Sequence, residues 1–440
     1  MTPVRALLLA FLAPGCDGTP SVPVTDLESV VSEVVPTVVT VTWATSEAVV
    51  ARVEYGPSED LGIATPWEEE ATTSHHAVLV GLPAATECAF RVVHDVDGEE
   101  QVSDRFAVTT GALGAELPTL TVTGGNNDTW HWVPFLGGAY GPALLDPEGR
   151  VTWWLPENSG LDVYRVRPAL DGASIFFNAG SVSGDPADDS ALVRVSFDGT
   201  RVERIPVPLL AHDFVEMDDG TLAAIVVEYR DFEGEPLRGD SIVEIAPDGT
   251  QTVVWSAWDC WDPAEVKGTD PQYGWTFANA LDWAPDEDAY YLGSRNFSSI
   301  VRIDRASGAC DWALGGVVGT VDIAAGSGRF LHQHQFEFTE DGVLVFDNDG
   351  GGSASRVLEY RFDADRTTAT ETWRYTDPDL HTFVLGEPRR LEGGDTIVDW
   401  SVGGRIERVD PAGVSTWRVS TELGYAFGFD TVLSSPFHQP

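Results

Sequence analysis

Three stretches of this chain place chemically capable side chains at one recurring position. His212-Asp-Phe precedes a Met217-Asp-Asp-Gly220 turn, Phe277-Ala-Asn279-Ala-Leu-Asp-Trp283 precedes Ala284-Pro-Asp-Glu-Asp288, and His334-Gln-Phe-Glu-Phe precedes Thr339-Glu-Asp-Gly342. A further segment, Gly293-Ser-Arg295-Asn296, stands at the far end of a hairpin among them. An imidazole can attack as a neutral nucleophile or move protons near neutrality. A guanidinium stays charged and can hold two oxygens at once. A single histidine on an inner strand is as readily structural, and an asparagine often only bonds loop backbone. Two histidines at matched positions, with an arginine between them in sequence, carry more weight than any one alone.

The elements that must position these residues are legible as repeats. Runs beginning at Leu144, Leu192, Ile242, Ile300, Val357 and Ile406 recur at intervals of 48, 50, 58, 57 and 49 residues. Most end in an Asp/Gly turn followed by Trp153, Trp255, Trp312, Trp373 or Trp417. Before five of them lies a second element closed by its own turn. Two hairpins per repeat of about 50 residues, six times over, predict a six-bladed β-propeller across residues 118–440, because each unit leaves an apolar face that only its neighbours can bury. The tryptophans, at equivalent positions, are expected in blade cores. Residues Tyr425–Val432 are expected to pair with the start of the domain and close the ring. Function in such a ring belongs to the central channel, where the strands bearing His212 and His334 would lie.

Ahead of the propeller, residues 26–111 alternate apolar and polar with Gly, Pro and Asp turns, the pattern of a small β-sandwich. Leu79 and Leu82-Pro83 before Glu87–Val93 give it a resemblance to a fibronectin type III module. His75 and His76 are adjacent on one strand and are read as surface residues on opposite faces. Residues 1–16, with Arg5, an apolar run over Ala6–Ala13 and Cys16, read as a secretory signal of lipoprotein type, too short to span a bilayer, and 17–25 as a linker. Cys16 is then the lipidation site, although Pro14 is atypical, and plain secretion is the alternative. Cys260 and Cys310 both stand near a repeat tryptophan, and export permits a disulfide between them. Cys88 is expected in the core.

The 440 residues hold 26 Lys plus Arg against 70 Asp plus Glu, a net charge of −44. That balance excludes most nucleic-acid binding, which needs cations to displace phosphate counterions. It also disfavours docking on an anionic membrane. Asp347-Asn-Asp-Gly-Gly351 lacks the spacing and closing Glu of a calcium loop and is read as an inter-strand turn, so no metal is expected.

Taken in order, Ala211-His212-Asp213-Phe214, Ala278-Asn279-Ala280-Leu281-Asp282-Trp283, Leu292-Gly-Ser-Arg295-Asn296 and Gln333-His334 with Phe346-Asp347-Asn348 resemble the bacterial arylsulfotransferase family. The resemblance is good over roughly 205–350 and loose over the rest of the propeller. It implies an exported enzyme, periplasmic or on the cell surface, that moves a sulfuryl group from an aryl sulfate donor to a phenolic acceptor. It implies His334 as the transiently sulfated nucleophile, His212 and Arg295 as holders of the sulfuryl group, and Asn279 as an active-site amide. No cofactor is implied. Homodimers among relatives make that state an expectation here. One position departs from the pattern: where the family has a third histidine, this chain has Phe277, with His332 and His131 the nearest replacements by sequence. His212 is expected to serve as proton donor to the leaving phenolate, and with Arg295 and the His332/His334 pair to form a cationic or proton-donating centre in an acidic shell. Phe277 also leaves open a non-catalytic propeller that binds a ligand or partner, and a hydrolase passing sulfate to water remains a third reading.

Overall fold

A computed structural model describes residues 22–437 except 115, 126, 138–140, 182–186 and 349–353. The proposed signal segment and Cys16 lie outside the described residues, as do most of the proposed linker and most of the Asp347–Gly351 turn. From Val24 the chain is already in a strand.

The propeller has six blades. From the channel outward, the second consists of Asp162–Pro168, Ser174–Gly180, Ala191–Ser196 and Val202–Pro206. The third is Leu210–Glu216, Leu222–Phe232, Glu235–Ile245 and Gln251–Ser256, and the fourth is Ala278–Ala284, Ala289–Ser294, Ser299–Asp304 and Trp312–Leu314. The fifth is built on Phe336–Thr339, Gly342–Asp347, Arg356–Phe362 and Thr368–Thr376. The repeating runs of the sequence are the third strands, and the tryptophans stand on the fourth. Trp153, Trp255 and Trp417 are buried, whereas Trp312 and Trp373 are half-buried.

Closure uses both ends of the domain. Ala426–Phe427 and Thr431–Leu433 form the inner edge of the first blade against Trp130–Leu136. Leu120–Gly124 becomes a fifth, outermost strand of the sixth blade beside Ser415–Thr421, a contribution that the repeat pattern did not reveal. Every neighbouring pair of blades shares one apolar cluster. That explains why strands such as Ser174–Gly180 are buried at every residue. A blade strand has a neighbour on each face, so strict alternation disappears.

The N-terminal unit is a curled seven-stranded sheet. One long strand, Val39–Gly56, pairs in its first half with Val24–Val31 and Thr72–Leu79, and in its second with Ile63–Ala64 and Glu87–Val96. This strand does alternate, because the face that carries Trp43 and Tyr55 lies in the core with Phe90 and the other face is more exposed. Cys88 is buried and unpaired. His75 departs from the surface reading: it is buried, with Nδ1 2.9 Å from Glu68 and Nε2 2.9 Å from Thr45, stacked on Trp43. His76, on the opposite face, is exposed. The unit rests on the propeller through a core continuous with the first two blades, and Ser32 Oγ donates to the Asp198 carbonyl at 2.6 Å.

Candidate active site in the channel

The innermost strands of the second, third and fourth blades share a deformation. Pairing slips between Val163 and Val166, between Leu210 and Phe214, and between Ala278 and Ala280. A bulge releases residues from the ladder and re-aims their side chains. The released residues include Arg165, His212, Asp213 and Asn279, all buried. Asn178 fills the first bulge: its Oδ1 accepts from the Tyr164 and Arg165 amides at 3.3 and 2.8 Å, and its Nδ2 donates to the His212 carbonyl at 2.9 Å.

Asp213 ties the channel together. It accepts from Arg165 Nε at 3.1 Å, Arg167 at 3.2 Å, Gln335 Nε2 at 2.9 Å and the Leu281 amide at 3.1 Å. Burial alone would raise its carboxyl, but Arg165 and Arg167 hold it below the ordinary range. Arg165 is also paired with Glu387 of the sixth blade at 2.8 Å. One network therefore reaches five blades and fixes the inner strands relative to each other.

Upon this base sit the two histidines predicted from sequence. The rings of His212 and His334 are 6.2 Å apart. His334 is fully buried and its tautomer is determined by its neighbour. Asn348 Nδ2 donates to the Thr382 and Leu385 carbonyls, each at 2.8 Å. Its Oδ1, 2.7 Å from His334 Nδ1, is thus an acceptor, so Nδ1 carries the proton. Nε2 is left with an unprotonated lone pair and no partner. Burial, then His212 nearby, hold the ring's pKa well below the ordinary value. For His212, burial and then the positive charge of Arg238, with a smaller effect from Arg295, push the pKa down to about 3. Its Nδ1 also lacks a partner.

Burial thus favours the neutral form of both rings, the form that a nucleophilic His334 requires, and guanidinium groups carry the positive charge beside them. Arg295 lies with Cζ 4.8 Å from the Tyr273 ring and 5.7 Å from the Phe277 ring, with Nη1 bonded to Asn296 Oδ1 at 2.9 Å and Asp270 at 3.3 Å. Arg238, for which no repeat position or motif gave a signal, places Cζ 4.7 Å from Phe277. Asn279 donates to the Gln333 carbonyl at 2.7 Å, while its Oδ1 remains unpartnered.

Phe277 occupies the place of the missing histidine, 5.1 Å from the His212 ring. Its φ of 49° is left-handed, a strained state for a bulky residue. The residues around it are clamped: Asp240 accepts from Thr276 Oγ1 and from the Ala278 amide, and the Arg295 amide donates to the Phe277 carbonyl. Of the two histidines proposed as replacements, His131 is engaged away from Phe277. His131 is fully buried elsewhere, bonded through Nδ1 to Asp430 at 2.7 Å and through Nε2 to Thr129 at 3.0 Å. His332 is half-buried, its Nε2 3.1 Å from Thr269 Oγ1. Cys260 and Cys310 form a disulfide with a Cα separation of 6.1 Å. It pins the start of the long connection 257–277, which brings Tyr273 and Phe277 to the site.

The family model described as arylsulfotransferase (ASST) matches residues 136–407. The chain belongs to the arylsulfotransferase family. The matched span includes Arg165, His212, Asp213, Arg238, Phe277, Asn279, Arg295, His334, Asn348 and Glu387, whereas His131 and Asp430 lie outside it. No functionally curated protein matches the chain. Among solved structures, a Bacteroides caccae protein of unknown function is 11% identical, covering 69% of this chain and 98% of its own with a TM-score of 0.45. The Pseudomonas aeruginosa periplasmic gluconolactonase is 12% identical over 70% of this chain and 100% of its own, with a TM-score of 0.42. The Staphylococcus aureus virginiamycin B lyase, in an inactive variant with quinupristin, is 13% identical over 68% and 87%, with a TM-score of 0.38. Likeness at that level carries no argument about the chemistry of this arylsulfotransferase-family chain.

Among the described residues no helix is long and apolar enough to cross a membrane, and no group of three or more His, Cys, Asp or Glu is arranged to hold a metal ion.

Proposed function

We propose that this protein transfers a sulfuryl group from an aryl sulfate to a phenolic acceptor through a covalent adduct on His334. The observation that carries the reading is the state of His334: buried, its Nδ1–H fixed on Asn348, and its Nε2 lone pair open. A neutral, pre-oriented imidazole is the form that can act as a nucleophile.

In the first half-reaction Nε2 attacks sulfur, the S–O bond to the aryl group breaks, and the phenolate leaves with the bonding pair. In the second, the phenolic acceptor loses its proton to solvent, its oxygen attacks sulfur, and the N–S bond breaks. Charge spreads over the equatorial sulfuryl oxygens during both steps, so donors already aimed at them lower the barrier. Arg295 supplies a charged donor. His212, being neutral, offers an N–H hydrogen bond to the sulfuryl or leaving oxygen rather than a full proton. A phenolate with a pKa near that of tyrosine, about 10, can depart without one. Asn279 holds the segment of Gln333 beside the nucleophile and keeps its Oδ1 open toward an acceptor hydroxyl.

Export through a signal segment ending at Cys16, with lipid anchoring there, accords with the disulfide between Cys260 and Cys310. The N-terminal unit, a fibronectin type III-like module in this reading, serves as a spacer, in accord with its packing on the first two blades.

The test is donor consumption with p-nitrophenyl sulfate as a function of phenol concentration. Acceleration by phenol, with a mass increase of one SO₃ on the peptide carrying His334, is expected. Consumption independent of phenol would mean hydrolysis, and no consumption across varied donors would leave a binding propeller.

A further inference from the structure

We propose that Arg238 is a second guanidinium of the sulfuryl-binding site, supplying from the third blade the charged hydrogen-bond donor that a histidine at position 277 would otherwise provide. This rests on the sulfuryl-transfer reading and adds a residue and a reason for the tolerance of Phe277.

The argument begins with charge. In a chain of 26 basic against 70 acidic residues, arginines near the channel find carboxylates readily. Arg165 is paired with Asp213 and Glu387, Arg167 with Asp213, and Arg295 with Asp270. Arg238 has no carboxylate within ion-pair distance among the described residues, and its buried Nε has no hydrogen-bond partner of any kind. A buried donor without a partner is destabilising, and more so when it is charged. Such an arrangement is reasonable where the missing partner is an anionic ligand.

Position supports the same conclusion. Arg238 lies over the Phe277 ring at 4.7 Å, and Arg295 lies 5.7 Å from that ring. Phe277 thus serves as an aromatic platform between two cations, a contact a ring face favours. The charge of Arg238 is felt by His212 more strongly than that of Arg295. The stem is gripped as well. The Trp275 amide donates to the Arg238 carbonyl at 2.8 Å. Gly274, at φ 100°, lies so close that an added Cβ would come within 2.9 Å of Arg238 Cβ. Gly239, the next residue, is packed equally tightly under Trp258. The guanidinium is held in place before any ligand arrives, which reduces the entropy lost on binding.

The experiment measures equilibrium binding of phenyl sulfate, and the KM for phenol, in the full-length protein and in Arg238→Gln. Loss of a charge-assisted hydrogen bond should weaken phenyl sulfate about 10- to 100-fold and leave the KM for phenol within about twofold. Arg201→Gln, at an exposed arginine just before the outer strand Val202–Pro206, serves as the unaffected control. On the unaltered protein, phenylglyoxal labelling of Arg238, mapped by peptide mass, should be suppressed by phenyl sulfate and not by phenol. This measurement stands even if Arg238→Gln does not fold. Affinity within about twofold of the unaltered protein, or labelling indifferent to phenyl sulfate, overturns the role of Arg238 while leaving sulfuryl transfer intact. A wild-type protein that neither binds phenyl sulfate nor transfers from it overturns both.

Discussion

Two buried histidines of the propeller have opposite surroundings. His131, in the first blade, has both ring nitrogens satisfied: Nδ1 by Asp430 at 2.7 Å, and Nε2 by Thr129 at 3.0 Å, with the ring stacked on Trp417. His334, beside the fifth blade, has one nitrogen satisfied by an amide and the other by nothing. A buried polar atom normally finds a partner, and its absence marks a place where something else is meant to bind. His131 is a fastener of the ring closure, joining the first long strand to the C-terminal segment, whereas His334 is held and exposed to reaction at the same time. An open nitrogen alone does not decide the matter. His94 in the N-terminal sheet also has an unpartnered Nε2, but its ring neighbour is His75 at 5.9 Å and not a guanidinium.

The sharpest way to break the comparison is to exchange the roles. His334→Asn should lower transfer by about 10⁴-fold or more, because removal of a nucleophile abolishes the covalent route. The SO₃ adduct should vanish with it. His131→Asn should leave kcat of the folded fraction within a few-fold. If His131→Asn removed activity from a protein of unchanged stability, the assignment of fastener and nucleophile would be wrong. The complementary loss is thermodynamic. Asp430→Ala strips one partner from a buried pair and should cost about 3–5 kcal/mol in denaturant unfolding, with the chemistry of surviving molecules retained.

Much of this was visible before the structure. The six repeats are legible because each blade must end in the same tight turn, and His212 and His334 because they precede equivalent turns. What could not be read is what depends on contacts between blades. Asn348 is 14 residues from His334 in sequence, and only the hairpin between them makes it the tautomer-setting partner. Arg238 comes to Phe277 from a different blade, across a connection whose course no periodicity describes. The electrostatics of His212 are hidden for the same reason: sequence shows a histidine among potential ligands for an anion, whereas its burial and the nearby guanidinium groups, which lower its pKa, come from several blades. The burial of His75 had no signal beyond alternation, which separates His75 from His76 without saying which faces inward.

Asn348 offers a subtler contrast, because it stands where the other histidine has a carboxylate. Asn348→Ala should reduce kcat about 10- to 100-fold with little change in KM, since the nucleophile is then free to rotate or to protonate Nε2. Asn348→Asp should make His334 resemble His131. A carboxylate favours the imidazolium, so the neutral form would be lost as pH falls, and an acid limb should appear in kcat/KM near neutrality. In the unaltered protein, both ring pKa values lie well under the ordinary one, so kcat/KM should stay flat down to about pH 5. An unaltered protein whose activity falls through pH 6–7 would contradict the neutral, desolvated site.

The smallest effect lies beneath the site, in the acids that anchor it. Burial pushes Glu387 up to about 7 from an ordinary 4.5, with Arg165 only partly offsetting it, and Asp399 is raised well above its usual value by burial and then by Asp430. A carboxyl with a raised folded pKa binds more protons when folded than when unfolded throughout the interval between the two values. Its contribution to stability is therefore complete below pH 4.5 and declines as pH rises toward 7. Glu387 is 17% exposed and keeps its arginine, so its share of that decline should be about 1 kcal/mol, short of what the shift alone would give. Glu387→Gln, which keeps the shape and one acceptor for Arg165, should make urea stability less dependent on pH between about 5 and 7.5, with Asp399 maintaining a residual slope of the same sign. An unchanged slope would mean that Arg165 fully compensates Glu387, and that the channel floor is a static brace with no bearing on pH.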